Sequence, residues 1–355
     1  MTNLLQETIA QITPQDADCR RRARERLDQL IMPHWALGRL MDLAVDLAGM
    51  TRSLRPAVRR KTIITMAGDH GVAAEGVSKY PQEVTLQMVH GIVAGMAGIS
   101  ALARLAGAEV VVVDMGVAAD LGPLAAAGKV ISKKIALGTA NMARGPAMTR
   151  AQAVASVEAG IQVADRLGAQ TDLFGTGDLG IANTTPSTAM VATLTGAPVA
   201  TVTGRGTGLD DGQLARKIAV VETALRINRP DPRDGLDVLA KVGGFEIGGI
   251  AGVILAAAAQ RKPVLIDGFI STAGALLAQA LAPPAADYMI AAHRSAEQGH
   301  RVMQRHLGKE PLLDLNLRLG EGTGAALAMH LVEAAQRILT EIATFDEAHV
   351  SKAHE

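Results

Sequence analysis

The sequence predicts an α/β fold in which a doubly wound, mainly parallel sheet is covered by helices on both faces. Short apolar runs, partly β-branched, alternate with longer segments whose apolar residues recur every three or four positions. The short runs are apolar on both faces, which is typical of parallel strands buried between helices. We therefore expect a Rossmann-like sheet, with a small helical domain built from both chain ends.

Six short runs carry the strand pattern: residues 62–66, 109–114, 171–174, 199–202, 263–266 and 288–291. Helical patterns lie between them at residues 83–105, 150–167, 213–227, 248–260 and 295–306. Each predicted strand is followed by small, acidic or basic residues, such as Gly68-Asp69-His70, Gly175-Thr176-Gly177-Asp178, Asp267-Gly268 and His293-Arg294. Right-handed crossovers bring the carboxyl ends of parallel strands to one edge, so these clusters should share one ligand site.

Both ends of the chain are predicted to be helical. Residues 16–48 are charged and then apolar with helical spacing, and residues 323–343 continue an apolar helix. We expect residues 1–50 to form the N-terminal part of the small helical domain and residues 51–320 to form the catalytic α/β domain. Residues 321–355 would supply the C-terminal helix that completes the small domain.

Composition excludes several classes of function. Lys and Arg number 35 against 35 Asp and Glu, and aromatic residues make up 2%, so neither a basic field nor stacking platforms favour nucleic-acid binding. The single Cys19 excludes an internal disulfide. The start lacks a basic-then-apolar leader, and the apolar run 248–259 is too short to span a bilayer. We expect a cytoplasmic protein with no membrane partner.

The segment 318–328, RLGEGTGAALA, places one carboxylate, Glu321, between two glycines at the start of an apolar helix. Small residues allow a planar ligand to approach the backbone closely. The helix behind the turn fixes the direction of the carboxylate, and its dipole favours an anion there. Glu321 is therefore the candidate proton acceptor.

Two glycine-rich segments are candidates for binding a phosphate. The first, GTGDLGIANTT at 175–185, ends at a helix start, where free N–H groups and hydroxyls bind phosphate without a metal. Thr184 or Thr185 as a simple helix cap is the alternative interpretation. The second, GRGTGLDD at 204–211, precedes a helix that carries Lys217, and we expect it to follow a different strand and form a second wall. Neither segment matches a Walker loop or a G-x-G-x-x-G fingerprint.

The segment 68–85 begins GDHG and contributes polar groups of another kind. Asp69-His70 suggests a metal site, but no second histidine or carboxylate follows at ligand spacing, so no metal is expected. Ser78, Tyr80 and Gln87 are suited to line the pocket of an aromatic ligand. An ordinary ordered loop that ends at Tyr80-Pro81 is the alternative.

The segments 68–85, 175–185, 204–211 and 318–328 follow one another along the chain in this order. Together they resemble the nicotinate-nucleotide–dimethylbenzimidazole phosphoribosyltransferase family over about residues 25–343. The resemblance implies a doubly wound sheet with a small helical domain, and a homodimer whose active sites lie near the subunit interface. It implies phosphoribosyl transfer from nicotinate mononucleotide to 5,6-dimethylbenzimidazole or a related base. The products would be α-ribazole 5′-phosphate, for the lower ligand of cobalamin, and nicotinate.

By this resemblance Glu321 is the catalytic base, and Asp178 occupies a second acidic position. The family usually reads Gly-Glu-Met-Gly-Ile-Gly-Asn-Thr there, so Asp178 is one methylene shorter and Ala182 replaces a glycine. The residues implied for phosphate and ribose are Gly177, Gly180, Asn183, Thr184, Gly204, Gly206 and Lys217. Those implied for the base are Ser78, Tyr80, Gln87, Leu179, Leu319 and Gly324.

No metal or cofactor is expected for this reaction, because the leaving nicotinate is a pyridinium and carries no pyrophosphate. Two other functions stay open. A nicotinamide-dinucleotide oxidoreductase would share the sheet, but the first strand–helix unit lacks the G-x-G-x-x-G and the acidic residue that reads a ribose. A non-catalytic nucleotide or benzimidazole sensor is supported by Asp178 alone. The preferred base also stays open, because one methyl group changes binding by only about 1–3 kcal/mol.

Overall fold

The computed structural model describes residues 4–351, and their central feature is one six-stranded sheet. Its strands are β1 (Lys61–Gly68), β2 (Ala108–Gly116), β3 (Ile131–Ser132), β4 (Leu173–Leu179), β5 (Val264–Ile266) and β6 (Met289–Ala291). The order is β3-β2-β1-β4-β5-β6 and every pairing is parallel. This doubly wound order reverses direction between β1 and β4, which is where such sheets bind ligands. The predicted fold class is confirmed.

Helices cover both faces of the sheet and form the chain ends. They are α1 (Leu4–Gln11), α2 (Ala17–Leu27), α3 (Arg39–Thr51), α4 (Glu83–Val93), α5 (Gly98–Ala106), α6 (Gly122–Ala126), α7 (Arg150–Gly168), α8 (Thr184–Thr195), α9 (Val199–Val202), α10 (Asp211–Asn228), α11 (Gly235–Val242), α12 (Phe245–Ala259), α13 (Phe269–Leu281), α14 (His300–Leu307), α15 (Thr323–Glu341) and α16 (Phe345–Ala348). Two 3₁₀ helices lie at Gly71–Glu75 and Pro283–Tyr288.

Five of the six predicted strands are present, and the strand predicted at residues 199–202 is wrong. Those residues form α9, a single turn after Pro198 in which only Val202 is buried. A central strand needs cover on both faces, and in this connector Ala200 and Thr201 are exposed. The glycine-rich loop at 204–211 therefore follows a short helix and not a strand. The two-residue β3 has no sequence pattern that predicts it.

The helix predicted at residues 83–105 is also wrong, because the chain breaks it into α4 and α5. Gly95, at φ +76°, lies in the break. Residues 83–106 are the one described segment long and apolar enough to cross a membrane, by length and composition alone. A break in the middle leaves backbone groups that a hydrocarbon layer would not satisfy, so the apolar length comes from two successive helices.

The core lies where α12 packs between the sheet and α7. Residues 245–258 of α12 are all buried. An added Cβ on Gly160 of α7 would lie 2.0 Å from the Gly249 carbonyl oxygen, and one on Gly252 would lie 2.0 Å from the Val157 oxygen. Only glycine permits this approach, so the small residues set the spacing between the helices.

The chain ends meet in a helical cluster formed by α2, α3 and α15. The Arg26 side chain donates to the carbonyl of Leu339, and Ile31 N donates to the carbonyl of Ala343. Helix α1 packs instead on α7 and α12, where Leu5 N donates to Glu158. The division at residues 50 and 321 stays a prediction, and its outer ends, 1–3 and 352–355, lie outside the described residues.

Candidate active site

The turn that carries Glu321 has an unusual backbone. Gly320, Glu321 and Gly322 have φ values of +84°, +63° and +99°. Left-handed geometry costs a non-glycine residue about 1–2 kcal/mol, so surrounding contacts must hold this turn. Thr65 Oγ1 donates to the Glu321 carbonyl at 2.9 Å, and Glu321 N donates to the Asp178 carbonyl at 3.1 Å. The ends of β1 and β4 thus fix the start of α15.

The Glu321 carboxylate is 4% exposed and lies beside the start of α5. Its Oε2 accepts a hydrogen bond from Ile99 N at 3.0 Å, and its Oε1 accepts none from the described residues. Burial raises the pKa of Glu321, the Ile99 N–H lowers it, and the charge of Asp267 raises it further. A buried carboxylate with one free oxygen and a raised pKa can accept a proton from a bound molecule.

Asp178, the second predicted acid, lies at the end of β4. Its Oδ2 accepts a hydrogen bond from the Asn183 side chain at 3.0 Å, and its Oδ1 has no protein partner. Burial raises the pKa of Asp178 well above its usual value, and the nearby Asp267 and Glu246 raise it further. Its burial and its acidic neighbours therefore favour the uncharged form more than they would for a solvent-exposed aspartate.

Helix α8, the second glycine loop and Lys217 converge on one point. Lys217 is fully buried, and its Nζ donates to Thr184 Oγ1 at 2.7 Å and to the Gly204 carbonyl at 3.4 Å. Gly206 has φ +51°, and an added Cβ there would lie 3.1 Å from Thr184 Oγ1. Burial lowers the pKa of Lys217 to about 8, and Glu297 works against this. A helix N-terminus, a glycine loop and a lysine together favour an anion.

A cavity of about 350 Å³ joins these groups at the carboxyl ends of β4, β5 and β6. The predicted site residues in its wall are Tyr80, Asp178, Leu179, Gly180, Asn183, Thr184, Gly206, Leu319 and Glu321. A larger cavity, of about 590 Å³, lies between α14 and residues 308–311 and contains none of the predicted groups. The smaller cavity is therefore the candidate site, because it brings acid, hydroxyl and glycine groups together.

The remaining predicted residues lie outside this wall. Gly177 packs under the turn, where an added Cβ would meet the Glu321 carbonyl oxygen at 2.3 Å, and Gly324 packs on His293. Lys217 lies behind Thr184, as described above, and Gly204 lines a neighbouring cavity of about 430 Å³. Ser78 Oγ accepts a hydrogen bond from Tyr80 N, and Gln87 is exposed on α4.

The fold also brings to the site several groups to which the sequence analysis gave no individual role. Arg318, His293 and Glu297 line the cavity, and one Glu297 oxygen is buried without a partner. Asp267 lies beneath the Glu321 turn. The only sequence signal for Asp267 and His293 is their position directly after a predicted strand.

Asp69 and His70 follow β1 and are buried below the cavity. His70 Nε2 lies 3.0 Å from Glu246 Oε1, and Glu246 raises the pKa of His70 against the effect of burial. Among residues 4–351, no group of three or more His, Cys, Asp or Glu side chains is arranged to hold a metal ion. His70 and Glu246 instead form a buried pair beneath Gly180, whose added Cβ would lie 3.3 Å from His70 Nε2.

A doubly wound sheet with an anion site and an acid at its switch point defines an α/β enzyme of nucleotide chemistry. The family model described as phosphoribosyltransferase matches residues 12–350. The nicotinate-nucleotide–dimethylbenzimidazole phosphoribosyltransferase of Syntrophotalea carbinolica is 66% identical over 350 residues, covering 99% of each chain. The protein of that name from Desulfotalea psychrophila is 60% identical, covering 98% of this chain and 99% of its own.

A solved structure agrees with the sequence relatives. The CobT structure from Thermus thermophilus has a TM-score of 0.90 and 45% identity, and it covers 95% of this chain and 100% of that one. The chain belongs to the nicotinate-nucleotide–dimethylbenzimidazole phosphoribosyltransferase family and is an enzyme of the transferase class.

Proposed function

We propose that this protein transfers the phosphoribosyl group of nicotinate mononucleotide to 5,6-dimethylbenzimidazole or a related base, with Glu321 as general base. The products are α-ribazole 5′-phosphate, used for the lower ligand of cobalamin, and nicotinate. The names of the relatives support the reaction. The observation that carries the role of Glu321 is its burial in the wall of the cavity, with one carboxylate oxygen that accepts no hydrogen bond from the described residues.

The reaction exchanges one nitrogen for another at C1′ of the ribose. The bond from C1′ to the pyridinium nitrogen breaks, and its electron pair leaves with nicotinate. One ring nitrogen of the base forms the new bond to C1′, which makes the ring cationic. The proton on the second nitrogen passes to Glu321, and this transfer contributes about 10²–10⁴-fold to the rate. The buried turn also holds the flat ring in register for attack.

Substrate binding is divided between two ends of the site. Gly177, Gly180, Asn183, Thr184, Gly204, Gly206 and Lys217 would form the phosphate and ribose end, which is supported by the Lys217–Thr184 hydrogen bond beside the glycine loop. Ser78, Tyr80, Gln87, Leu179, Leu319 and Gly324 would form the base end. Asp178, next to Asn183, would act as the second acid of the reaction centre and contact the ribose or the base.

The substitution Glu321→Gln tests the role of Glu321 as general base. Because glutamine keeps the size of the side chain and loses its basicity, folding and nicotinate mononucleotide binding should stay near wild type. Turnover should fall by about 10²–10⁴-fold. Nicotinate release and the product mass measure turnover, and calorimetry measures binding. Glu341→Gln, the same change at the exposed far end of α15, is the matched control and should leave turnover unchanged.

If Glu321→Gln retained its turnover, Glu321 would be rejected as the general base. Binding of both substrates to the wild type without nicotinate release would instead favour the sensor function. Hydride transfer with a reduced dinucleotide would favour an oxidoreductase. A panel of benzimidazoles, purines and phenolics, read by product mass, identifies the preferred base.

We also propose a cytoplasmic homodimer. Tyr80 is 56% exposed and Leu319 is 60% exposed at the rim of the cavity, so one chain leaves the base end uncovered. Large exposed apolar side chains at a pocket rim favour a protein partner, here a second copy. Light scattering after size-exclusion chromatography should give twice the mass of one chain; a monomer at micromolar concentration would contradict the proposal.

A further inference from the structure

Asp267 is a buried carboxylate directly beneath the turn that carries Glu321. It follows β5 and is fully buried, and it does not line the cavity. Its Oδ2 accepts a hydrogen bond from Gly322 N at 3.2 Å. Its Oδ1 accepts hydrogen bonds from Gly324 N at 2.7 Å and from Ala325 N at 3.0 Å. One side chain therefore binds three backbone N–H groups at the start of α15.

These three bonds replace an ordinary helix cap. The first N–H groups of a helix have no partner within it, and an N-cap side chain usually accepts from one of them. In α15 the N-cap residue is Gly322, which has no side chain to do so. Asp267, from a neighbouring strand end, takes over this role and adds a charge that the helix dipole favours.

The same bonds hold a strained conformation. Glu321 lies between two left-handed glycines and is itself left-handed, so the turn relaxes unless its neighbours restrain it. Thr65 and the Asp178 carbonyl hold Glu321 from one side. Asp267 holds Gly322, the next residue along the chain, from the other side.

The His293 side chain lies next to the Asp267 carboxylate. His293 Nε2 lies 3.6 Å from Asp267 Oδ1. Burial raises the pKa of Asp267, while His293 and the three N–H groups work against that rise. The three N–H donors require acceptor oxygens on Asp267, and their hydrogen bonds and His293 oppose the effect of burial.

We propose that Asp267 is a positioning residue of the reaction: it does not touch the substrate, and it anchors Gly322 so that the Glu321 carboxylate stays directed at the base. The inference rests on the proposed role of Glu321. It assigns an individual role to a residue that the sequence placed only among the strand-end clusters, and it explains why a buried carboxylate lies under the Glu321 turn.

The substitution Asp267→Asn tests the inference. When its amide oxygen takes the place of Oδ1, asparagine still accepts hydrogen bonds from Gly324 N and Ala325 N. Its NH₂ group then faces Gly322 N, so the hydrogen bond to Gly322 is lost. A displacement of the catalytic group by about 1 Å costs about 10²-fold in turnover. We expect a fall in kcat of this size, with the KM for nicotinate mononucleotide unchanged.

A double-mutant cycle separates positioning from general destabilisation. If Asp267 acts through Glu321, adding Asp267→Asn to Glu321→Gln should have little further effect on kcat. If the losses in kcat of the two single variants multiplied in the double variant, the inference would be overturned and the proposed function would stay intact. Full turnover in Glu321→Gln alone would reject the base and this inference together.

The pH profile is a readout that a purely structural role does not move. The charge of Asp267 contributes to the raised pKa of Glu321, so Asp267→Asn should shift the acidic limb of kcat/KM to lower pH. An unmoved limb would overturn the inference. Asp234→Asn is the matched control, because Asp234 accepts from Leu236 N and Asp237 N at the start of α11. It should lower the melting temperature without changing kcat.

A folding defect would leave the inference testable with a second variant. If Asp267→Asn is not folded by circular dichroism, Asp267→Ser replaces it in the cycle, because it leaves room for a water molecule at the three N–H groups. The same cycle with Glu321→Gln then decides between positioning and independent effects.

Discussion

Gly177→Ala should disable the enzyme through a single methyl group. Gly177 lies on β4 opposite Thr65, and an added Cβ would lie 2.3 Å from the Glu321 carbonyl oxygen. It would also lie 2.6 Å from the Glu321 carbonyl carbon and 2.8 Å from Gly322 N. All three atoms are backbone, so no flexible side chain can turn away. Ordinary contact begins at 3.4 Å, so the turn must move by about 1 Å.

Two effects of different size follow from this displacement. Overpacking of this kind costs about 1–3 kcal/mol of folding free energy, which lowers the melting temperature without unfolding the protein. Moving the Glu321 carboxylate, the proposed general base, by about 1 Å costs about 10²-fold in kcat. The KM for nicotinate mononucleotide should change little, because the proposed phosphate end lies on α8 and the 204–211 loop. Steady-state nicotinate release and thermal denaturation measure both effects.

Gly175→Ala is the matched control on the same strand and face. Its methyl group would lie 3.1 Å from Ile63 Cγ1, 3.2 Å from Met329 Cε and 3.3 Å from Ala325 Cβ. These are side-chain atoms that need to give by a few tenths of an ångström, so stability changes slightly and turnover is kept. Wild-type turnover in Gly177→Ala, or an equal loss in Gly175→Ala, would refute the reasoning.

Other perturbations separate the two ends of the site. Lys217→Met should raise the KM for nicotinate mononucleotide about ten- to hundredfold and leave kcat less affected, since it removes the buried cation behind Thr184 at the proposed phosphate end. Because the pKa of Lys217 is about 8, the wild-type KM should rise as the pH increases through about 8; a flat profile would contradict the assignment. In the absence of substrate the unfolded chain binds more protons between about pH 8 and 10.5, so stability from this group should rise across that window. Asp178→Asn should lower turnover far less than Glu321→Gln, because asparagine keeps the shape of the side chain and can accept the hydrogen bond from Asn183; an equal loss would show that the Asp178 carboxylate is needed.

The sheet was predictable because its central strands β1, β4 and β5 are buried on both faces, which leaves apolar runs in the sequence. The run at 199–202 has the same composition but is an exposed turn after Pro198, and only its lack of cover distinguishes it. The break between α4 and α5 follows from Gly95 in a left-handed conformation, a choice that tertiary contacts make and apolar spacing does not register.

The candidate site divides in the same way. The motifs predicted Glu321, Thr184 and Gly206, which line one cavity, because glycine and a helix start have direct geometric consequences. They placed Asp267 only among the strand-end clusters of this edge and did not predict its contact with the Glu321 turn, because it lies 54 positions before Glu321 and reaches that turn only across the sheet edge.

The sequence by itself determined the alternation of strands and helices, the edge where ligands bind and the glycine turns that admit them, because these depend on local patterns of burial and backbone freedom. The tertiary structure decided which acids meet at that edge, which of them is held in a strained turn and which are desolvated. Those properties depend on distances between segments far apart in the chain, and burial sets the pKa of each group only after the segments have packed.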